Sequence, residues 1–196
     1  MFAVAARSKY DIAVGNSALG GTIFYVDGTG RHGLVVGPYD LGKWGTTSTS
    51  LNEGYQLAPT STLVGTGVAP YTGIYNGQKA TQLYLDAGGS SQTWGLKLAG
   101  YNASGSYSDW YIPNKDELVK LMEDYFYTLG GTIPNMYDPP GYDGAPFGSI
   151  EENYGANPSY PPATNRHYYF ADATPPYVLG NSAKSIGWPM RPIRRF

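Results

Sequence analysis

The chain has 196 residues, enough to bury one sizeable core, and no charged or Ser/Gly-rich linker divides it into two. Only 14% of the residues are charged, against roughly 25% in ordinary globular proteins, while Gly 27, Pro 15 and Tyr 19 are high, so Tyr, Ser, Thr, Asn and Gly must cover the surface. A formal net charge of -2 without a clustered basic face excludes a nucleic-acid footprint, and zero cysteines exclude disulfides, thiolate metal sites and cysteine nucleophiles.

Met1 to Ala6 is apolar but is followed by Arg7, Ser8 and Lys9, so it has neither the charged start nor the length of a signal peptide. No apolar run approaches the roughly 20 residues of a membrane span. The expectation is a chain made without a standard export signal and without membrane insertion, with an N-terminal arm at 1–19 and one domain at 20–196. Gly20-Gly21 marks the entry into a β-hairpin, because Thr22-Ile23-Phe24-Tyr25-Val26 and Leu34-Val35-Val36 are rich in β-branched and aromatic residues. Between them, Gly28-Thr29-Gly30-Arg31-His32-Gly33 matches a G-x-G-x-x-G phosphate loop, but a strand follows where a dinucleotide fold requires a helix, so it reads as the hairpin turn.

The Thr/Ser/Gly-rich stretch after Trp44, to about Gly67, favours loop. Ile74, Ala80, Leu83, Tyr84 and Ala87 predict a first helix from about Tyr71 to Ala87, stopped by Gly88-Gly89. Trp94 to Ala99 and Ser108 to Ile112 read as short strands or extended segments around a Gly/Ser turn. Asn114 then opens the best-marked helix: it can accept from the backbone N–H of Glu117, and Glu117 can reach back to the Asn114 N–H, a capping box. Asp116 and Glu117 suit the positive end of the helix dipole. Leu118, Leu121, Met122, Tyr125 and Leu129 recur along one face of that helix, which runs to about Tyr127 before Gly130-Gly131. From Ile133 to Pro176, which holds nine of the fifteen prolines, the character is that of a long loop. Gly187 to Phe196 reads as a closing strand, interrupted or at an edge because of Pro189 and Pro192.

Four separated pieces resemble one family in order: Gly20-Gly21-Thr22-Ile23-Phe24-Tyr25-Val26-Asp27; His32-Gly33-Leu34-Val35-Val36; Tyr107-Ser108-Asp109-Trp110-Tyr111-Ile112-Pro113 with Lys115-Asp116-Glu117-Leu118; and Arg191-Pro192-Ile193-Arg194 with Phe196. The pattern resembles the domain family named for the C-terminal domain of the Lcl collagen-like adhesin, a member of the C-type-lectin-like superfold. The resemblance implies an α+β fold with two helices, small antiparallel sheets, neighbouring N- and C-terminal strands, and a long Pro/Tyr-rich loop, 133–176, where lectin-like domains carry their ligand-binding loop. In place of the family's Tyr-Trp-Ser-Ser-like strand the chain has Tyr168-Tyr169-Phe170-Ala171-Asp172, so residues 133 to 185 fall outside the matched pattern, and function is expected there.

His32 and His167 are the only histidines; without cysteines or an acidic helical motif they predict no transition-metal site, and no G-x-S-x-G elbow accompanies them. Formylglycine-generating enzymes share the superfold but use cysteine ligands. Sugar-binding C-type lectins hold calcium and sugar with Glu-Pro-Asn or Gln-Pro-Asp, whereas Ile133-Pro134-Asn135 lacks the carboxylate. No cofactor is therefore expected; calcium is the ion that Asp138, Asp143, Glu151 and Glu152 would suit, with solvated acids the plainer reading of their irregular spacing.

Tyr137, Tyr142, Tyr154, Tyr160 and Tyr168, with Asn153, Asn157 and Asn165, are the candidate ligand-binding residues: part of the set packs locally beside proline, and the rest would stack on sugar rings or anchor a protein partner. Arg191, Arg194 and Arg195 could pair with loop carboxylates, but as strand-end charges they read rather as solvated or structural. The expected function is a non-enzymatic recognition module on a multimeric surface assembly, such as a bacteriophage virion appendage or decoration. Such a module would be homo-oligomeric, sit at the virion surface among other virion proteins, and bind a host glycan or surface protein. The alternatives are a purely structural capsid or tail component, a cytoplasmic protein, and a glycosidase using loop carboxylates such as Glu151 or Glu152.

Overall fold

The computed structural model describes residues 12–38, 41, 64–91, 93–101, 107–130, 147–153, 167–171, 179–183 and 190–196. In chain order the elements are β1 (Ser17–Ala18), β2 (Gly21–Val26), β3 (Gly33–Val36), α1 (Gly77–Asp86), a short 3-10 turn (Gly89–Ser91) and α2 (Thr93–Ala99). They continue with α3 (Lys115–Lys120, extended by a π-helical segment Leu121–Thr128), β4 (Phe147–Asn153), β5 (His167–Ala171), β6 (Leu179–Ala183) and β7 (Ile193–Arg195). The class is α+β: a four-stranded antiparallel sheet ordered β1-β2-β3-β7, a three-stranded antiparallel sheet ordered β4-β5-β6, and a few helices. Among the described residues no helix is long and apolar enough to cross a membrane.

The first sheet is buried on both faces, which explains why β2 and β3 are apolar runs without polar alternation. Successive strand residues point to opposite faces. Ile23 and Val35 accordingly join a core with Ala80 and Tyr84 of α1 and Trp94 and Leu98 of α2. Phe24, Leu34 and Val36 join a second core with Leu118, Leu121 and Met122. The stretch Trp110-Tyr111-Ile112 divides in the same way, Trp110 and Ile112 into the first core and Tyr111 into the second. It is not a full strand; Tyr111 and Ile193 exchange two backbone hydrogen bonds of 2.9 Å, and this single bridge sets the chain leading into α3 against the last strand. Each of these large side chains, fully buried, contributes about 1.5–3 kcal/mol.

The hairpin forms as predicted, with its register shifted once between Ile23 and Tyr25. Its turn is held by Asp27, whose Oδ1 accepts from the Thr29 backbone N–H (3.0 Å) and hydroxyl (2.6 Å), while Gly30 sits at φ 70. The Thr29 hydroxyl bond lowers the Asp27 pKa. The Gly-rich motif is thus spent on turning the chain.

Three expectations change. Trp94 to Ala99 is helical, because Trp94 and Leu98, four residues apart, are buried on one face while Leu96 and Lys97 are exposed. The first helix begins only at Gly77, after Gly73 (φ 89) and Tyr75 (φ 74) have turned the chain through left-handed conformations. The segment 133–176 is not one loop, since β4 and β5 lie within it; the overall proline content hid two short proline-free runs, Phe147–Asn153 and His167–Ala171. The predicted arm also contributes structure at its end, where β1 pairs with β2.

Candidate functional site

The N-terminus of α3 is a polar joint enclosed by protein. Asn114 caps the helix as expected, accepting from the Glu117 N–H at 3.0 Å, while Glu117 Oε2 accepts from the Asn114 N–H at 3.0 Å. Glu117 does more than close this box. Its Oε1 also accepts from the backbone N–H of Tyr75 (2.9 Å), the backbone N–H of Gly77 (3.4 Å) and the Tyr111 hydroxyl (3.0 Å). Asn76, where a cap for α1 would stand, makes no side-chain cap. The start of α1 therefore takes its acceptor from α3, and one carboxylate serves two helix N-termini. Gly77 is required for this: a Cβ there would collide with Glu117 Oε2 and the Asn114 backbone N.

The flanking residues complete the joint. Asn114 Nδ2 donates to the carbonyls of Tyr71 (3.1 Å) and Gly73 (2.7 Å), and Asp116 Oδ2 accepts from the Gly73 N–H (2.8 Å). Glu117 is fully buried, and no cationic side chain pairs with it among the described residues. Burial pushes its pKa up to about 7 against the pull of its four donors. Burial, and then the neighbouring Glu117, raises Tyr111 well above the usual tyrosine range, so its hydroxyl stays a donor.

The second sheet is moored beside this joint by β4. Ile150 is fully buried in the first core, its N–H donates to the Pro113 carbonyl (2.8 Å), and its carbonyl accepts from the Thr66 hydroxyl (2.9 Å). Glu151 is 2% exposed and faces α3, with Oε2 accepting from the Lys115 N–H at 3.2 Å and Oε1 3.7 Å from Lys115 Nζ. Burial raises its pKa. Glu151 thus holds the end of a helix, which corrects its place in the predicted set of loop acids that were to suit calcium or act as a glycosidase pair. Glu152 lies next to it in β4, and Asp138 and Asp143 lie outside the described residues. Among the described residues no group of three or more His, Cys, Asp and Glu could hold a metal ion.

Of the predicted ligand-binding residues, the backbone brings together two. Asn153 pairs with His167 at the end of β4, and Tyr168 in the central strand β5 pairs with Glu152 on one side and Ser182 on the other. Tyr137, Tyr142, Tyr154, Tyr160, Asn157 and Asn165 lie outside the described residues.

Sequence reasoning left Arg191 and Arg194 as solvated or structural charges without their partners, and it missed Thr81. Arg194 makes a fork with Asp109 (Nε to Oδ1 2.8 Å, Nη2 to Oδ2 2.9 Å), donates to the Leu19 carbonyl (3.0 Å), and lies 4.0 Å from the centre of the Tyr107 ring. Arg191 is buried and donates to the Gly37 carbonyl at 2.8 Å. These two arginines are structural, while Arg195 is exposed. Thr81 bonds both the N–H and the carbonyl of Ile112 at 3.1 Å, fastening α1 to the Trp110–Ile112 stretch. No local sequence signal marked the double role of Glu117, whose second partner, the start of α1, lies 40 residues away.

No family model matches the sequence, and no curated protein matches it.

Proposed function

We propose that the protein is a non-enzymatic recognition module with a C-type-lectin-like fold, related to the Lcl C-terminal domain family and displayed on a multimeric surface assembly such as a bacteriophage virion. The observation that supports this most is the division of labour between the two sheets. The first sheet, its helices and the Glu117 joint form a tightly bonded scaffold, and the second sheet hangs from that scaffold through Ile150 and Glu151. In the second sheet Tyr168 and Tyr169 stand opposite Ser182 and Asn181. A Tyr- and Asn-rich sheet on a rigid support matches the chemistry of recognition surfaces, in which tyrosine supplies contact area at small entropic cost and short polar residues adapt around it. The order of the four family-like sequence pieces adds to the reading. The ligand of such a surface is a host glycan or a host surface protein.

Deleting 133–176 would remove buried Ile150 and Glu151 and so would not test the site. Single changes to serine at Tyr142, Tyr154, Tyr160 and Tyr168, assayed on a glycan array and by pull-down from host surface material, are the appropriate experiment. Loss of a captured ligand in one or more variants, with thermal stability retained, is the expected result. Capture by all four at the parental level rejects the site assignment. Capture of nothing by the parent, together with burial of these tyrosines between subunits of an assembly, would instead favour a structural component.

A further inference from the structure

A cleft of about 260 Å³ opens between α1, α2 and the stretch that ends at Tyr111. Gln78, Gln82 and Leu85 of α1 line it at helical spacing, as does Leu98 of α2. The volume lies just below the roughly 300–1,000 Å³ of sites for drug-sized ligands, so it suits one ring rather than a peptide.

Some of its polar groups are unpaired and others are held in place. The side chains of Gln78 and Ser108 make no hydrogen bond among the described residues. Gln82 donates to Asp86 Oδ1 at 2.8 Å, which leaves its carbonyl oxygen able to accept. Asp109 is a fixed acceptor: the Arg194 fork orients both oxygens and balances the charge, yet 41% of the side chain stays exposed. Trp110 lines the same cleft, and its indole N–H is buried without a partner.

Amide donors and acceptors, a hydroxyl, a charge-balanced carboxylate, and indole and leucine walls complement a neutral polyhydroxylated ring. Its C–H face would lie on the apolar wall, and adjacent hydroxyls would bridge the amides and the carboxylate. An anion would meet Asp109, and a cation would compete with Arg194 for it. We propose that this cleft binds a single neutral sugar ring, free or at the end of a glycan. The site is separate from the 133–176 segment and does not rest on the function proposed for it.

The test is a two-dimensional ¹H–¹⁵N NMR titration of the full chain with glucose, galactose and N-acetylglucosamine, and with their methyl glycosides. At least one sugar is expected to shift the Trp110 indole and the Gln78 and Gln82 side-chain amides together, with a Kd in about the millimolar range. The Trp94 indole, which does not line the cleft, should stay in place. A methyl glycoside that binds as well assigns the site to glycan ends; binding of the free sugar alone assigns it to free monosaccharide. Gln78→Ala with Ser108→Ala should weaken binding about tenfold or more without disturbing the rest of the spectrum. Failure of every sugar to move these resonances, or parental affinity in the double variant, overturns the proposal.

Discussion

Two polar clusters tie distant parts of the chain together, and they do so by opposite means. The Glu117 joint buries a carboxylate completely and surrounds it with N–H and O–H dipoles, whereas the Arg194–Asp109 fork matches charge with charge and leaves 41% of the Asp109 side chain exposed. Dipoles from two helix starts can hold a buried charge but do not cancel it. The joint therefore feels proton concentration strongly, while the fork sets one charge directly against another and stays partly solvated. The comparison teaches that the more buried cluster should dominate stability and should make it depend on pH.

The largest effect is expected from Glu117→Ala, which strands four donors in the interior. A loss of about 3–5 kcal/mol, read from urea unfolding, is predicted, and a loss below about 1 kcal/mol would show that water replaces the carboxylate.

Next comes the pH dependence. The Glu117 carboxyl titrates near 7 in the folded state against an ordinary value of 4.5, so folding takes up a proton between these limits. Its contribution is fully present below about pH 4.5 and is lost as pH rises through about 7, a change of about 3 kcal/mol. In Glu117→Gln this component of the pH slope should vanish. A slope unchanged in that variant would assign the titration to another group.

Gly77→Ala separates local from tertiary control. In an isolated helix the change would stabilise by about 1 kcal/mol, but here the added methyl meets Glu117 and Asn114, so a loss of about 1–3 kcal/mol is predicted from thermal melts. Arg194→Lys should lose about 1–2 kcal/mol, since lysine cannot reproduce the fork or lie flat beside Tyr107. A double-mutant cycle with Asp109→Ala should show coupling; independence would mean that the fork contributes packing alone. The smallest effect belongs to Lys120→Ala, whose pairs with Glu123 (3.5 Å) and Asp124 (3.7 Å) are partly exposed, and a change beyond about 0.5 kcal/mol would contradict that ranking.

The legibility of the fold follows the range of the interactions. The hairpin, the Asn114–Glu117 box and the closing strand could be read because their signals lie within a few residues of one another. The helical state of Trp94–Ala99 could not, because seven residues are too few to separate a helix from an extended run until the burial of Trp94 and Leu98 on one face is seen. The second sheet escaped because β4 and β5 are short and lie among prolines, and a strand gains its stability only from a partner far away in sequence. For the candidate site, the sequence marked Tyr168 and Asn153 by composition; their places opposite Glu152, Ser182 and His167 came from pairing.

By itself the sequence determined the neutral, Tyr- and Gly-rich character of the chain, the apolar runs of β2 and β3 and the capping of α3. Each of these is a matter of composition or of contacts a few residues apart. Only the tertiary structure decided that Glu117 would serve α1 as well as α3, that Glu151 would hold a helix end, and that Arg194 would grip Asp109. Those bonds span 40, 36 and 85 residues, and no local pattern encodes which distant donor a buried acceptor will meet.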